Sequence, residues 1–405
     1  MAELGARLEA AAEAPAPVPI TLLGAAGFIV TADVRVVNPL LHVIATEFGA
    51  DVGSTGIIVT AYTLPYGLFQ LVYGPLGDRL GKLRVMSFAM ALFAVGTAAC
   101  ALAPSLSLLI LLRFLTGVAA AALIPLSLGT IGDSFPYAQR QAAIGRFLGA
   151  IALGAILSTS MGGIVADVLT WRAIFLVFGL VSIGVWFALW HASRGRVRQG
   201  RPDAPLGLRA FGAYRDLLLR PASRLVIVAV CLEGIFFFGA FAYLGAFLRD
   251  EFGLLYVLIG ILLSGFGIGN LIYSRSAGWL VHRFGEEGLI LLGGGVDCLC
   301  YLAFALLRAW VALIPVIVAL GAGYYLLHST LQTKATELAP GARGTAVSLF
   351  AFGLFLGQGI GAALFGAVVD GPGYRPAFAL AAVALLLLAL WFVATSRRLV
   401  RAASA

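Results

Sequence analysis

The sequence predicts an all-α membrane protein of twelve transmembrane helices, arranged as two related bundles of six. Three observations lead to this prediction: the composition, the length of the apolar segments, and a repeat at half the chain length. Hydrophobic residues make up 61% of the 405 positions and charged residues only 11%, and the mean hydropathy is +1.00. A soluble chain of this length needs far more polar side chains to cover its core. We therefore expect lipid around most of the chain.

Apolar segments long enough to cross a bilayer follow one another along the chain. A helix needs about 20 mostly apolar residues to cross the hydrocarbon core, and about a dozen segments meet this requirement. Spanning strands are not expected, because they would alternate apolar and polar residues over shorter segments. The predicted helices cover residues 20–45, 54–75, 84–103, 106–130, 141–165, 173–192, 223–248, 256–281, 287–307, 310–332, 344–369 and 375–396.

The first residues of the chain and the cysteines give no indication of a functional site. Residues 1–19 are rich in Ala, Glu and Pro and lack the basic flank of a signal peptide, so we expect a cytoplasmic tail. The cysteines all lie inside apolar segments, and their spacing is not that of a metal or redox site. We expect them to pack as small buried side chains. They are Cys100, Cys231, Cys298 and Cys300.

Basic residues are unevenly distributed over the predicted loops. If both termini lie on one side, that side collects most of the Lys and Arg residues. By the positive-inside rule it is cytoplasmic, which predicts a multi-pass protein of the inner or plasma membrane. This distribution accounts for the net charge of +8, so no nucleic-acid partner is expected. The opposite side holds only Arg172, Arg249, Arg308 and Arg375.

The two halves of the chain share a pattern of residues at a shift of 203 or 204 positions. Two related six-helix halves place a cavity between them near the membrane midplane, the arrangement that alternating-access carriers use. We predict a tail (1–19), a first bundle (20–192), a cytoplasmic loop (193–222), a second bundle (223–396) and a tail (397–405). The repeated pairs include Gly74 and Gly278, Arg79 and Arg283, Gly81 and Gly285, Arg140 and Arg343, Gly154 and Gly357, Gly163 and Gly366, Arg172 and Arg375, and Phe175 and Phe378.

Residues 74–84 read GPLGDRLGKLR and lie between the second and third predicted helices. This segment resembles the signature of the major facilitator superfamily, Gly-x-x-x-Asp-Arg-x-Gly-Arg/Lys, which stands in the same loop. The resemblance covers the chain from about residue 20 to 396. It implies the fold of that superfamily and the function of a drug:proton antiporter with twelve helices. The matching residues are Gly74, Asp78, Arg79, Gly81 and Lys82, with Leu83 where a second basic residue is common.

Two further segments resemble motifs of the same superfamily. RFLTGVAAA, which begins at Arg113, is similar to the fourth-helix motif of proton-coupled members. GAILSTSMGG, which begins at Gly154, is similar to the fifth-helix motif of exporters, although Ser-Thr replaces the usual Gly-Pro. The residues of this second motif are Gly154, Ser158, Thr159, Gly162 and Gly163.

The loop signature has a physical role that does not depend on the family. A carboxylate at a helix N-terminus is favoured by about 0.3 to 1 kcal/mol, and Asp78 is expected at the start of the eleventh helix, near residues 343–345. Arg79 and Arg84 are expected to pair with Asp133 at the end of the fourth helix. The resemblance implies a cytoplasmic latch between the halves when the cavity opens outward. The alternative is that these charges only fix the topology.

Three ionisable side chains, Asp33, Arg113 and Glu233, lie well inside predicted helices. Each needs a partner, a wet cavity or a function, because an isolated charge at the bilayer centre costs a few kcal/mol. We expect Asp33 and Glu233 to face a shared cavity from opposite sides and to carry protons. Asp33 with Arg113 resembles the acid and arginine of multidrug antiporters, and the alternative is a static ion pair. Arg35 lies about 200 degrees around the helix from Asp33, so it contacts another helix or the lipid boundary.

Aromatic side chains accompany Glu233 on the seventh predicted helix. Phe237 follows it by one helical turn, and an acid beside aromatic rings suits a lipophilic cation. We predict no role for Asp297 in the ninth helix. The expected cavity residues are Tyr62, Tyr66, Phe237, Tyr324, His328 and Gln358.

No enzyme signature, cofactor site or metal site is predicted. The chain lacks a phosphate-binding Gly-x-x-x-x-Gly-Lys-Ser/Thr loop, so transport energy must come from a gradient, and its four histidines are scattered. The favoured interpretation is proton-coupled export of small amphipathic organic molecules by a monomer. Within carriers, the alternative is a uniporter or symporter for a sugar, another metabolite or a lipid. A membrane enzyme or a receptor with this fold is the alternative from another class.

Overall fold

The computed structural model describes residues 18–135, 137–194, 212–339 and 343–404, which are helical and contain no strand. The helices of the first half are α1 (Ile20–Arg35 and Val37–Phe48), α2 (Val52–Thr55 and Ile57–Leu80), α3 (Lys82–Cys100), α4 (Leu106–Ala120 and Leu123–Ser134), α5 (Tyr137–Val168) and α6 (Trp171–Arg194). A short surface helix, Gly212–Leu219, follows. The second half begins with α7, which is built from Pro221–Glu233, Gly234–Phe238, Gly239–Phe241 and Leu244–Phe252. It ends with α10 (Trp310–Ala312 and Leu313–Glu337), α11 (Arg343–Asp370) and α12 (Tyr374–Ser404).

Between α7 and α10 lies one helix of 51 residues, Tyr256–Leu306. Gly285 interrupts it with φ 65° and ψ 174°, so it comprises α8 (256–284) and α9 (286–306). Ten helices in the described ranges are long and apolar enough to cross a bilayer, and the bent pair of α1 makes an eleventh. Because the 51-residue helix provides two crossings, the predicted total of twelve agrees with the structure.

Three of the spanning helices, α1, α4 and α7, are interrupted away from their ends. Proline has no N–H, so the carbonyl four residues before it loses its helical hydrogen bond. Pro39 removes the bond to the Arg35 carbonyl, and α1 bends there by 45°. Pro125 acts in the same way on α4, which breaks between Ala120 and Leu123. The sequence predicted a regular helix over 223–248, whereas α7 contains a π-helical turn at Gly234–Phe238.

The two halves repeat local contacts as well as residues. Arg172 at the start of α6 forms an ion pair with Glu47 at the end of α1. Arg375 at the start of α12 pairs in the same way with Glu251 at the end of α7, with 3.0 Å between nitrogen and oxygen. These matched contacts are those of two pseudo-symmetric six-helix bundles. The domain boundaries around 193–222 stay a prediction, because residues 195–211 lie outside the described ranges.

Twelve crossings place Val18 and Ser404, the first and last described residues, on one face, here called the terminal face. On the opposite face the two halves meet through backbone contacts that only glycine permits. A Cβ atom on Gly53 would lie 2.1 Å from the carbonyl oxygen of Gly366, where α2 meets α11. A Cβ atom on Gly163 would lie 2.1 Å from the carbonyl oxygen of Tyr256, where α5 meets α8. The opposite face is therefore closed.

Two carboxylates add hydrogen bonds between the halves on this closed face. Asp370, at the end of α11, accepts the backbone N–H of Gly53 at 2.6 Å and that of Ser54 at 2.8 Å. Asp167, at the end of α5, accepts the backbone N–H of Val257 at 2.7 Å. Each carboxylate thus lies at a helix N-terminus of the other half, where negative charge is favoured. The sequence repeat relates these two contacts, which we call the paired latch.

Candidate functional site

A cavity of about 370 Å³ lies between the two halves. Helices α1, α2, α4 and α5 form one side of it, and α7, α8, α10 and α11 form the other. A mostly apolar wall with a few polar groups is typical of a site for small organic molecules. Apart from three tyrosines, the polar lining residues are Thr31, Arg35, Thr159, Ser264, Asn270 and Gln332.

The second half contributes an aromatic wall centred on Tyr324. Its ring centroid lies 5.1 Å from that of Phe238, 5.7 Å from that of Phe266 and 5.0 Å from that of Tyr325. Phe266 also packs against Phe241, at 5.2 Å between centroids. These rings present faces and edges to the cavity, which suits a cargo that itself contains an aromatic ring.

Two of the six predicted cavity residues, Tyr66 and Tyr324, line the cavity. The other four are buried behind its wall: Tyr62, Phe237, His328 and Gln358.

Asp33 and Arg113 form a buried ion pair inside the first half. Arg113 Nη1 donates to Asp33 Oδ2 at 2.6 Å, and Nη2 approaches the Asp33 carbonyl oxygen at 3.3 Å. The guanidinium carbon lies 4.2 Å from the centroid of the Tyr62 ring. Both charged side chains are sealed from solvent, with exposed fractions of 0% and 1%. The structure therefore brings together the pair that the sequence predicted.

Glu233 forms a second buried contact, inside the other half. Its Oε2 lies 2.9 Å from Nδ1 of His328 on α10, whereas Oε1 has no partner among the described residues. The His328 ring stacks on Tyr324 at 4.8 Å between centroids and 15° between planes. His328 had been predicted only as a cavity residue, and its contact with Glu233 was missed. The acid and the imidazole therefore lie directly behind a cavity wall.

The positions of Asp33 and Glu233 correct one expectation. Neither acid lines the cavity, and both side chains are fully buried. They do not face a shared chamber but lie one layer behind it, each within its own half. The prediction of a cation site beside Glu233 was wrong for the same reason: neither Phe237 nor Glu233 lines the cavity.

Arg35 is the charged residue that does reach the cavity, and no role was predicted for it. The bend at Pro39 places it at the end of the first segment of α1. Its guanidinium carbon lies 4.3 Å from the centroid of the Phe238 ring, across the interface between the halves. The guanidinium forms no ion pair or hydrogen bond with another residue of the described ranges. The spacing from Asp33 was the available signal, because it places the two side chains on opposite faces of one helix.

Asp297 lies behind the same wall as Glu233 and is fully buried. Neither of its carboxylate oxygens has a partner in the described ranges. It packs against α10, where a Cβ atom on Gly323 would lie 2.4 Å from Oδ1. A side chain larger than glycine at position 323 would collide with this carboxyl group, so the contact needs a glycine on α10.

The loop signature is organised around Lys82. Lys82 Nζ lies 3.1 Å from Asp78 and 2.6 Å from Asp133, so the expected partners of Asp133, Arg79 and Arg84, are replaced by lysine. The positive φ of 92° at Gly81 turns the chain into α3, and the Lys82 stem then lies over Gly129, one helical turn before Asp133. Gly74 has open space around it. The expected site of Asp78 at the start of α11 adjoins residues 340–342, which lie outside the described ranges.

The α5 motif brings backbones close together on both of its sides. A Cβ atom on Gly154 would lie 2.5 Å from the carbonyl oxygen of Phe28, and one on Gly162 would lie 2.8 Å from the Val36 side chain. Gly163 approaches α8, as described above. The hydroxyls of Ser158 and Thr159 donate to carbonyl groups of α5 itself, at 3.2 and 3.0 Å. The motif therefore joins α5 to α1 in its own half and to α8 in the other.

Known proteins resemble this chain over most of its length. It is similar to the uncharacterized MFS-type transporter YceJ of Bacillus subtilis (strain 168), with 28% identity over 352 residues, 84% of this chain and 86% of YceJ. Multidrug resistance protein Stp of Mycobacterium tuberculosis (strain CDC 1551 / Oshkosh) is 26% identical over 406 residues, 84% of this chain and 74% of Stp. A solved structure of the nucleoside transporter NupG has a TM-score of 0.77 at 14% identity, and covers 93% of this chain and 99% of that chain.

The family model described as Major Facilitator Superfamily matches residues 23–357. This match, the all-helical fold with two related bundles and the cavity between them agree with one another. The protein is a multi-pass membrane transporter and not an enzyme. The chain belongs to the Major Facilitator Superfamily.

Proposed function

We propose that this transporter exports small amphipathic organic molecules in exchange for protons. The observation that carries the proposal is the placement of buried acids behind both walls of one cavity. Asp33 is the residue before Val34, which lines the cavity, and Glu233 contacts His328 behind Tyr324. Cargo in the cavity thus lies close to two groups that can each hold a proton.

Proton exchange requires that each buried contact can be broken and remade. Protonation of Asp33 would remove its charge and release Arg113, which would then be a lone cation within the span. Glu233 and His328 can share one proton across their 2.9 Å contact. Each rearrangement changes the packing behind a wall of the cavity, Val34 and Arg35 in one half and Tyr324 in the other. Helix packing therefore links protonation to the cavity.

The closed face and the basic residues support cytosolic access to the cavity in this conformation. The positive-inside rule assigns the terminal face to the cytosol, so both termini would be cytoplasmic and the closed opposite face would look outward. The cavity would then receive cargo from the cytosol. A relative whose name is multidrug resistance protein agrees with export. We propose the inner or plasma membrane as the location and the monomer as the working unit.

Flux measurements in proteoliposomes with an imposed pH gradient test the proposal. The cargo for this assay is first identified by a growth-inhibition screen of cells that express the protein. We expect a pH gradient to accelerate cargo flux in the parent protein, and this acceleration to be lost in Asp33→Asn and in Glu233→Gln. Asp216→Asn on the surface helix is the matched control, since this acid is 64% exposed and lies outside the bundles. Acceleration that persists in the Asp33→Asn, Glu233→Gln double variant would rule out this coupling.

Proton symport or uniport of a metabolite is the second candidate. It is favoured by Ser158 and Thr159, which stand where the fifth-helix motif of exporters usually has Gly-Pro. The same proteoliposomes distinguish the candidates. Antiport requires that cargo and protons move in opposite directions, whereas symport moves them together and uniport ignores the pH gradient.

A further inference from the structure

We propose that the cavity selects aromatic or amphipathic molecules that carry an anionic group, and that Arg35 binds this group. The inference rests on the proposed function, because it takes the cavity as the cargo site. Arg35 is the sole charged side chain among the cavity-lining residues of the described ranges. The wall contains hydroxyl, amide and aromatic groups besides Arg35, but no carboxylate. The electrostatic preference of the cavity is therefore for negative charge.

The geometry of Arg35 leaves it free to hold an anion. Its guanidinium lies over the face of Phe238, with 4.3 Å from Cζ to the ring centroid. A guanidinium in this position is held by the cation–π interaction, while its N–H donors point outward in its own plane. These donors form a rigid fork that matches a carboxylate, sulfonate or phosphate. None of them is used by another described residue.

No acid of the described ranges forms an ion pair with Arg35 or lines the cavity beside it. Asp33 lies on the other side of the helix and pairs with Arg113 at 2.6 Å, and Glu233 contacts His328. A cation within a membrane span without a counter-ion is costly, and such residues mark substrate or ion pathways. The described residues thus offer Arg35 no counter-ion. A cargo anion in the cavity supplies one.

The aromatic wall restricts the rest of the cargo. Phe238 is shared between the guanidinium and the cluster around Tyr324, so an anion bound to Arg35 has rings beside it. An aromatic acid can place its charge on Arg35 and its ring against this cluster in one pose. A lipophilic cation would meet the rings but would be repelled by Arg35.

Equilibrium dialysis with two probes of opposite charge tests the inference. The probes are 2-naphthoate and 2-naphthylmethylammonium, which share one ring system, with the purified protein in phosphatidylcholine nanodiscs and empty nanodiscs as the blank. We expect the parent protein to bind the anion at least about tenfold more tightly than the cation, which corresponds to about 1.4 kcal/mol. Arg35→Gln is expected to lose at least this factor for the anion, and Arg35→Lys to lose less. Arg275→Gln, a change of the same kind on an exposed arginine, is expected to retain the affinity.

The neutral probe 2-naphthalenemethanol shows whether Arg35→Gln keeps an intact cavity, because its binding does not need the charge. The inference is overturned if the parent protein binds the cation as tightly as the anion, if it binds none of the three probes, or if Arg35→Gln binds naphthoate as the parent does. No proton gradient is present in this experiment. If the protein prefers the anion but the flux test fails, the proposed proton coupling is therefore ruled out and the anion site is retained.

Discussion

Removal of the paired latch should open the face that is closed in the structure. Asp370 accepts two backbone N–H groups and the Ser54 hydroxyl from the other half, and Asp167 accepts one N–H group. A net hydrogen bond is worth about 1 kcal/mol, and a charge at a helix N-terminus adds about 0.3 to 1 kcal/mol. Because these groups are partly exposed, we assign about 2 kcal/mol to Asp370 and about 1 kcal/mol to Asp167.

These magnitudes predict a measurable change in population. A loss of about 2 kcal/mol changes the ratio of closed to open forms by about 30-fold, so Asp370→Ala should convert a minor open population into a major one. The measurement is a distance distribution between spin labels at Leu102→Cys and Val311→Cys. Both positions are exposed and lie at the closed face, Leu102 between α3 and α4 in the first half and Val311 in the first turn of α10 in the second half. The native cysteines are first replaced by serine or alanine.

The matched control is Asp51→Ala, which removes a neighbouring acid whose side chain makes no capping hydrogen bond to the helix that follows it. It should leave the distances unchanged, whereas Asp167→Ala should act in the same direction as Asp370→Ala and less strongly. If the Asp167→Ala, Asp370→Ala double variant shows the parent distribution, the latch does not stabilise the closed face. A larger population at the short distance between the two spin labels would contradict the predicted opening of this face.

Three further predictions address the buried charges, the glycine contacts and the cargo. Arg113→Gln should lower the stability of the solubilised protein by about 3 to 5 kcal/mol, because Asp33 is left without its partner, and Asp33→Asn in the same chain should restore part of the lost thermal stability. Gly163→Val should populate the open form in the spin-label experiment, since its Cβ would lie 2.1 Å from a backbone oxygen, whereas Gly184→Val has open space and should not. Exchange of a monovalent anion for a proton moves two charges, so an inside-negative potential of 100 mV should drive 2-naphthoate export with about 4.6 kcal/mol. Electroneutral naphthoate flux in a potassium–valinomycin clamp would contradict antiport and agree with symport.

The fold could be predicted from the sequence because each crossing of the lipid bilayer needs a helix of nearly fixed length. Every apolar segment had to be a helix of about 20 residues, and the repeat between the halves then fixed their arrangement. The helix boundaries in the structure differ from the predicted ones where a local feature, such as a proline, was not considered. Pro39 and Pro125 bend or break their helices where the missing proline N–H leaves a carbonyl without its helical hydrogen bond. The residues around Glu233 contain no comparable signal for the π-helical turn that follows it.

The site was predicted less completely because periodicity gives relative and not absolute orientation. The sequence placed Asp33 and Arg35 on opposite faces of one helix, but not which face meets the cavity. A charge with a partner can be buried, so the predicted pair of Asp33 with Arg113 left Arg35 as the charge on this helix that needs water or a ligand. Lys82 replaced Arg79 and Arg84 as the partner of Asp133 because the turn at Gly81 decides which basic side chain reaches α4.

The separation of the charges into layers constrains how transport can be coupled. If Arg35 holds a cargo anion, a proton on the carboxyl of Asp33 behind the same helix is favoured by that anion and not repelled by it. Direct electrostatics then cannot make cargo and proton exclude one another, so antiport needs a conformational change that separates them. A rotation about the bend at Pro39 would provide it, because turning the segment that ends at Arg35 would move both side chains at once, one out of the cavity and the other towards it. Exchange of cargo for protons would thus follow from the rigidity of one helical turn that carries both charges.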